Sequence, residues 1–174
     1  MDIRVKKSET IYEGGLFDLK LDRILLPNGH ETNREYVDFG QSVLIVPEDP
    51  GGRVVLVSQY RHPTREVLLE LPAGKVEPGE EPRDAAVREL EEETGFRARE
   101  IIRFGEFYLS PGYSSELMSG FHATGIEPGM KNPDPDEILS NVVLTRDGVK
   151  AGLTDGRFRD AKTILGLLWW LGNR

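Results

Sequence analysis

The chain has 174 residues, enough for one domain with its own core, and its 38% apolar and 30% charged content is that of a folded protein, not a disordered one. It has no cysteine, which excludes disulfides, thiolate metal sites and a cysteine nucleophile. A formal charge of -8 argues against binding nucleic acid through its backbone, so a polyphosphate ligand would have to be met by a divalent cation or a few placed arginines.

Residues 17 to 39 hold two period-2 runs around Pro27, Asn28 and Gly29, which predicts an antiparallel N-terminal ribbon closed by an Asn-Gly turn. Val43 to Val46 and Val54 to Val57 read as buried strands of one central sheet, separated by the turn residues Glu48 to Gly52. From Asp84 to Thr94 good helix formers run between Pro82 and Gly95, the punctuation of a helix. Phe104 to Leu109, Glu116 to Ala123 and Ile138 to Leu144 read as strands, and Asp160 to Leu171 as an apolar terminal helix. The mixture predicts an α/β fold. The first ten residues lack the apolar run of a secretory signal, and no stretch approaches the roughly 20 apolar residues of a membrane span. A cytoplasmic protein with no membrane partner is expected.

The chemistry concentrates between residues 74 and 96. Gly74-Lys75-Val76-Glu77-Pro78-Gly79-Glu80 is followed, after seven residues, by Arg88-Glu89-Leu90-Glu91-Glu92-Glu93-Thr94-Gly95-Phe96. Laid out at about 100° per residue from Ala86, Glu92 falls at about 240°, Glu89 at about 300° and Glu93 at about 340°, so three carboxylates share one arc. Ala86, Leu90 and Val87 fall at about 0°, 40° and 100°, a neighbouring stripe that would pack on the sheet. Like charges this close repel, and a hard cation with oxygen ligands, Mg2+ or Mn2+, relieves them. Arg88, four residues before Glu92, is placed to pair with a carboxylate and hold its orientation. A bare acidic run on a helix is ordinarily a solvated face. A chance match to all nine fixed positions of this pattern is on the order of one in a million.

The pattern resembles the signature box of the Nudix superfamily. That resemblance implies an α/β/α sandwich with a mixed sheet, the box forming a loop, helix, loop unit, and hydrolysis of a nucleoside diphosphate linked to another moiety. It implies that Glu89, Glu92 and Glu93, with the main-chain carbonyl of Ala73, coordinate the metal, while Glu80 supports the box loop. It also divides the chain into an N-terminal ribbon, residues 1–40, that serves dimerisation and the substrate, and a catalytic domain, residues 41–174.

Outside the box, Ser58-Gln59-Tyr60-Arg61, Glu70-Leu71-Pro72-Ala73-Gly74 and Ser110-Pro111-Gly112-Tyr113-Ser114-Ser115-Glu116 look like the ADP-ribose and nucleotide-sugar pyrophosphatase branch. By that likeness Arg61 binds substrate phosphate and Glu116 lies near the metals or the terminal ribose. The branch takes its general base from a loop acid in a stretch like Asp134-Pro135-Asp136-Glu137, which makes Glu137 the candidate and Asp134 and Asp136 its rivals. The pattern departs from the branch after Glu137, where Ile138-Leu139-Ser140-Asn141 replaces a hydrophobic-acidic alternation. Members of the branch are homodimers that exchange their ribbons and stack ribbon aromatics on adenine, a part for Phe17 and Tyr36 with Arg34 nearby. Aromatics in alternating strands otherwise serve as packing.

The expected reaction is metal-assisted cleavage of ADP-ribose or a related nucleoside diphosphate sugar, with Glu92, Arg88 and Glu137 in the catalytic set. Its rivals are a nucleoside triphosphate pyrophosphohydrolase that sanitises nucleotides and a non-catalytic module that binds ADP-ribose.

Overall fold

The Asn28-Gly29 turn forms as its sequence requires: Gly29 takes a left-handed φ of 81°, and its N–H donates to Leu26 O at 2.9 Å. In this computed structural model, which describes residues 2–132 and 138–173, the turn joins β2 (Asp18–Leu25) to β3 (Glu31–Asp38). A strand not foreseen, β1 (Arg4–Glu13), pairs antiparallel with β2, giving the order β1-β2-β3. Its run Lys6-Lys7-Ser8-Glu9-Thr10 carries no apolar alternation, and every residue of β1 is exposed. The chain divides into two compact units, Met1–Gln41 with Tyr108–Leu117, and Ser42–Phe107 with Met118–Arg174. In the first, residues 113–115 run alongside Val37, whose N–H donates to Tyr113 O and whose carbonyl accepts from Ser115 N–H.

The second unit is built from β4 (Gln41–Pro47), β5 (Val54–Arg61), β6 (Glu66–Glu70), β7 (Ala73–Lys75), α1 (Pro82–Thr94), β8 (Phe96–Arg97), β9 (Glu100–Tyr108), β10 (Leu117–Thr124), β11 (Glu127–Pro128), β12 (Leu139–Leu144), α2 (Arg146–Thr154) and α3 (Ala161–Gly172). One sheet is ordered β7-β4-β10-β9, another β12-β5-β6. Leu117 N–H bonds Gly40 O at one end of β4 and Glu48 N–H bonds Ala123 O at the other, so β4 and β10 run parallel while β7 is antiparallel to β4. The sheet is mixed. The expected α/β architecture is found, with one correction. The apolar runs at 43–46 and 54–57 do not share a sheet, because the chain leaves β4 after a single bridge, Glu48 to Val54, and enters the other sheet.

β4 is covered on both faces, as its unbroken apolar run implies. Val43 and Ile45 join Ala85, Ala86, Leu90, Ile101, Phe121 and Ala123 in one cluster under α1. Leu44 and Val46 face α3, where Gly166 is small enough to let the helix close on them. The packed stripe of α1 differs from the expected one. Val87 is 40% exposed, whereas Ala85, Glu93 and Thr94 are buried with Ala86 and Leu90. The buried arc is thus rotated onto the carboxylates.

α2 was not foreseen because Gly148 and Gly152 weaken its helical preference. It forms because Thr145 caps it, accepting from Gly148 N–H at 3.2 Å, and because Phe158 fills the space a side chain at 152 would need. α3 is capped by Asp160, which accepts from Thr163 N–H at 3.0 Å, and buries Leu167 and Trp170. Among the described residues no helix is long and apolar enough to cross a membrane.

Candidate active site

Two pieces of backbone set the site. β7 bonds to β4 with Gly74 opposite Val43, which puts Ala73 and Gly74 on the outer strand of the sheet. α1 starts at Pro82, where a missing N–H costs nothing, and stops at Gly95, whose left-handed φ of 75° ends it. The glutamates are therefore carried on a helix of fixed length packed against that strand.

Glu93 is 2% exposed and accepts from Ala73 N–H at 3.3 Å. The Glu89 carboxylate lies over Gly74 so closely that a Cβ there would run into it. Arg88 gathers the rest. It donates from Nε and Nη2 to the two oxygens of Glu80, each at 3.0 Å. Nη1 reaches Glu89 Oε1 at 2.8 Å and Glu92 Oε2 at 3.0 Å, and Nη2 also bonds Lys75 O at 3.0 Å. Glu80 Oε2 in turn accepts from Glu77 N–H at 3.0 Å, which ties down the loop before the helix. Hydrogen bonding by Arg88 holds the Glu80 carboxyl below the usual carboxylate range, and Glu80 keeps the guanidinium charged in return.

Three carboxylates here face one guanidinium, with Glu93 held beside them on Ala73 N–H, an excess of negative charge in a partly buried place. Among the described residues no three acidic or imidazole groups stand together in a ready metal grip, since Glu89 and Glu92 each turn an oxygen to Arg88. The donor set still fits a hard divalent cation. Its oxygens come from carboxylates and backbone, one carboxylate is almost fully desolvated, and Gly74 leaves open the space in which Glu89 sits.

Residues 38–164 match the NUDIX domain. The chain belongs to the Nudix family. Across 91% of its length it is 35% identical to the methanol dehydrogenase activator of Bacillus methanolicus, covering 87% of that protein. Across 89% it is 34% identical to the ADP-ribose pyrophosphatase of Bacillus subtilis, covering 85% of that protein. A crystal structure of an ADP compounds hydrolase superimposes with a TM-score of 0.88 at 26% identity, covering 99% of this chain and 95% of that one.

The other residues singled out in the Nudix sequence fall in three places. Arg61, at the end of β5, lies in the second unit and forms a bidentate pair with Glu70, both bonds at 2.8 Å. Glu70 is 1% exposed and also receives Lys162 Nζ at 2.5 Å, while Lys162 reaches Asp160 at 3.0 Å. Burial alone would push the Glu70 carboxyl up, but Arg61 and Lys162 hold it below its ordinary value. The Arg61 charge is stabilised first by Glu70 and, among others, by Glu93, which puts it within electrostatic reach of the box. Glu70 stands in the stretch Glu70-Leu71-Pro72-Ala73-Gly74, where local sequence assigns it no partner. Its partners come from the end of β5 and from α3, 9 and 92 residues away in the chain, and neither contact has a local sequence signal.

Phe17, Arg34, Tyr36 and Glu116 belong to the first unit. Phe17, just before β2, is 37% exposed and so is not ribbon core. Tyr36 is half-buried opposite Lys20, and burial first, then the charges of Asp22 and Asp38, raises its phenol above the usual value. Arg34 is exposed and donates to Asn33 O at 2.9 Å. Glu116 is half-buried, its N–H donating to Ser114 Oγ at 3.2 Å. Glu137, Asp134 and Asp136 lie outside the described residues.

Proposed function

We propose that this Nudix protein hydrolyses the diphosphate bond of ADP-ribose or a related nucleoside diphosphate sugar, giving a nucleoside monophosphate and a sugar phosphate. The observation that carries the reading is the loop and helix unit in which Glu89 and Glu93 converge on Ala73 and Gly74. The likeness to the Bacillus subtilis ADP-ribose pyrophosphatase, along most of both chains, supports the substrate class.

Ala73 O, Glu89, Glu92 and Glu93 would hold Mg2+, with Mn2+ as a substitute. A cation held there would supply charge neutralisation for the diphosphate and would make the attacking water more acidic. Arg88 and Glu80 orient the ligating carboxylates through the bonds that they already share. Arg61, held through Nε and Nη2 by Glu70, turns its remaining Nη hydrogens to the phosphates. Glu137 takes the proton of the attacking water, with Asp134 and Asp136 as the alternative bases. Phe17 and Tyr36 stack on the nucleobase with Arg34 beside them, and Glu116 meets the terminal ribose. The working protein is a cytoplasmic homodimer.

The test is incubation with Mg2+ and a panel of ADP-ribose, other nucleotide sugars, dinucleoside polyphosphates and nucleoside triphosphates, with Glu93→Gln as control. AMP and ribose 5-phosphate are expected, at a rate reduced at least about hundredfold in the variant. Pyrophosphate released from a triphosphate would instead make the protein a nucleotide-sanitising enzyme. Binding of ADP-ribose with no turnover would make it a sensing module.

A further inference from the structure

The last turn of α1 carries Glu92 and Glu93, and a helix leaves the carbonyls of its last turn without partners of its own. One of them is met by the cap residue and two from elsewhere. Glu91 O accepts from Gly95 N–H at 2.8 Å, Glu92 O from Asn132 N–H at 3.2 Å, and Thr94 O from the side-chain Nδ2 of Asn141 at 2.7 Å. Residues 129–132 are themselves tied to the helix. Gly129 N–H bonds Gly95 O at 2.7 Å, and Met130 N–H bonds the Glu91 carboxylate at 2.9 Å, which Arg97 also holds at 2.7 Å.

Asn141 lies in β12, opposite Val57 of β5, so its amide links the helix end to a paired strand. Lys131 decides which way that amide points. Its Nζ donates to Asn141 Oδ1 at 3.3 Å and to Leu139 O at 3.0 Å. An ammonium only donates, so it fixes Oδ1 on its own side and leaves Nδ2 aimed at Thr94 O.

We propose that Asn141 and Lys131 are positioning residues that hold the C-terminal turn of α1, and through it the carboxylates of Glu92 and Glu93, in the geometry a divalent cation needs. The inference rests on the reading of Glu89, Glu92 and Glu93 as cation ligands. An acid at 141 has no hydrogen to give to Thr94 O and would set an oxygen against it. An asparagine of the same shape supplies the donor.

Mn2+ titration of the purified protein without substrate, with free Mn2+ followed by electron paramagnetic resonance, tests this apart from turnover. Asn141→Asp keeps the shape and removes the donor, and it should weaken Mn2+ binding about tenfold. Lys131→Met should move affinity in the same direction. Val149→Ala, which trims the buried core beneath α2, should lower thermal stability and leave Mn2+ affinity unchanged. Wild-type affinity in Asn141→Asp would overturn the inference, and so would an equal loss in Val149→Ala, which would make the effect one of general destabilisation. Glu93→Gln separates the two readings. If it also leaves Mn2+ binding unchanged, the metal site itself is wrong. If it weakens binding while Asn141→Asp does not, only the positioning role falls.

Discussion

Gly74 is the residue on which the proposed ligand cluster closes. The Glu89 carboxylate occupies the space where a side chain at 74 would begin, so Gly74→Ala forces Glu89 aside without altering any ionisable group. The expected result is an enzyme that still folds, at a cost of about 1–3 kcal/mol for the overpacking. Its half-saturating Mg2+ concentration should rise at least about tenfold. An unchanged Mg2+ dependence would show that Glu89 binds from some other position. Glu70 makes a different prediction, because it is buried between Arg61 and Lys162 and its folded pKa is depressed. A depressed carboxyl contributes stability that is fully present above its ordinary value of 4.5 and is lost as pH falls through the lower folded value. Denaturant melts of the wild type should therefore lose stability below about pH 4.5. Glu70→Gln removes the carboxylate paired with Arg61 and leaves Lys162 with Asp160 alone, and should be less stable at pH 7, toward the lower end of about 3–5 kcal/mol because Arg61 is partly solvated. Its stability should also be flatter below pH 4.5. A variant with the wild-type slope would remove Glu70 from the account of acid sensitivity.

At the scale of elements, α1 anchors to the sheet and carries the proposed cation ligands on one overlapping face. A wheel drawn from sequence put the packing stripe on Ala86, Val87 and Leu90, beside the carboxylates. The stripe instead runs through Ala85, Glu93, Ala86, Leu90 and Thr94, because the sheet edge reaches for Glu93 through Ala73. The consequence is measurable by thermal melts. Leu90→Ala should cost about 2–5 kcal/mol, whereas Val87→Ala at an exposed position should stay within about 0.5 kcal/mol of the wild type. Equal costs would restore the sequence-based stripe. The same contrast explains what was legible beforehand. The box glutamates could be read because three residues of spacing on one helix is a covalent fact. The Arg61–Glu70–Lys162 network could not, because it joins side chains of two strands and a distant helix that meet only in the folded chain. β1 lacked an apolar period and α2 carried two glycines, so local pattern pointed away from both.

For the whole molecule the first unit poses the largest question. All ten residues of its edge strand β1 are exposed, among them Val5, Ile11 and Tyr12, with Leu16 and Phe17 exposed just beyond. A long edge strand bearing apolar side chains invites pairing with another chain. Lys6, Lys7 and Glu9 blunt it only in part. A chain with a formal charge of -8 repels its own copies over long range, so association must come from short-range apolar and backbone contacts, and added salt should not weaken it. The proposed homodimer meets these conditions, since a two-fold interface buries the same strand of both chains. Sedimentation equilibrium at micromolar concentration should return twice the 19.6 kDa chain mass. The double substitution Val5→Lys with Ile11→Lys, which adds charge where contact is expected, should shift the protein toward the single chain mass. A wild type that sediments as a monomer at low and high salt alike would end the dimer proposal, and the ribbon would then have to act within one chain.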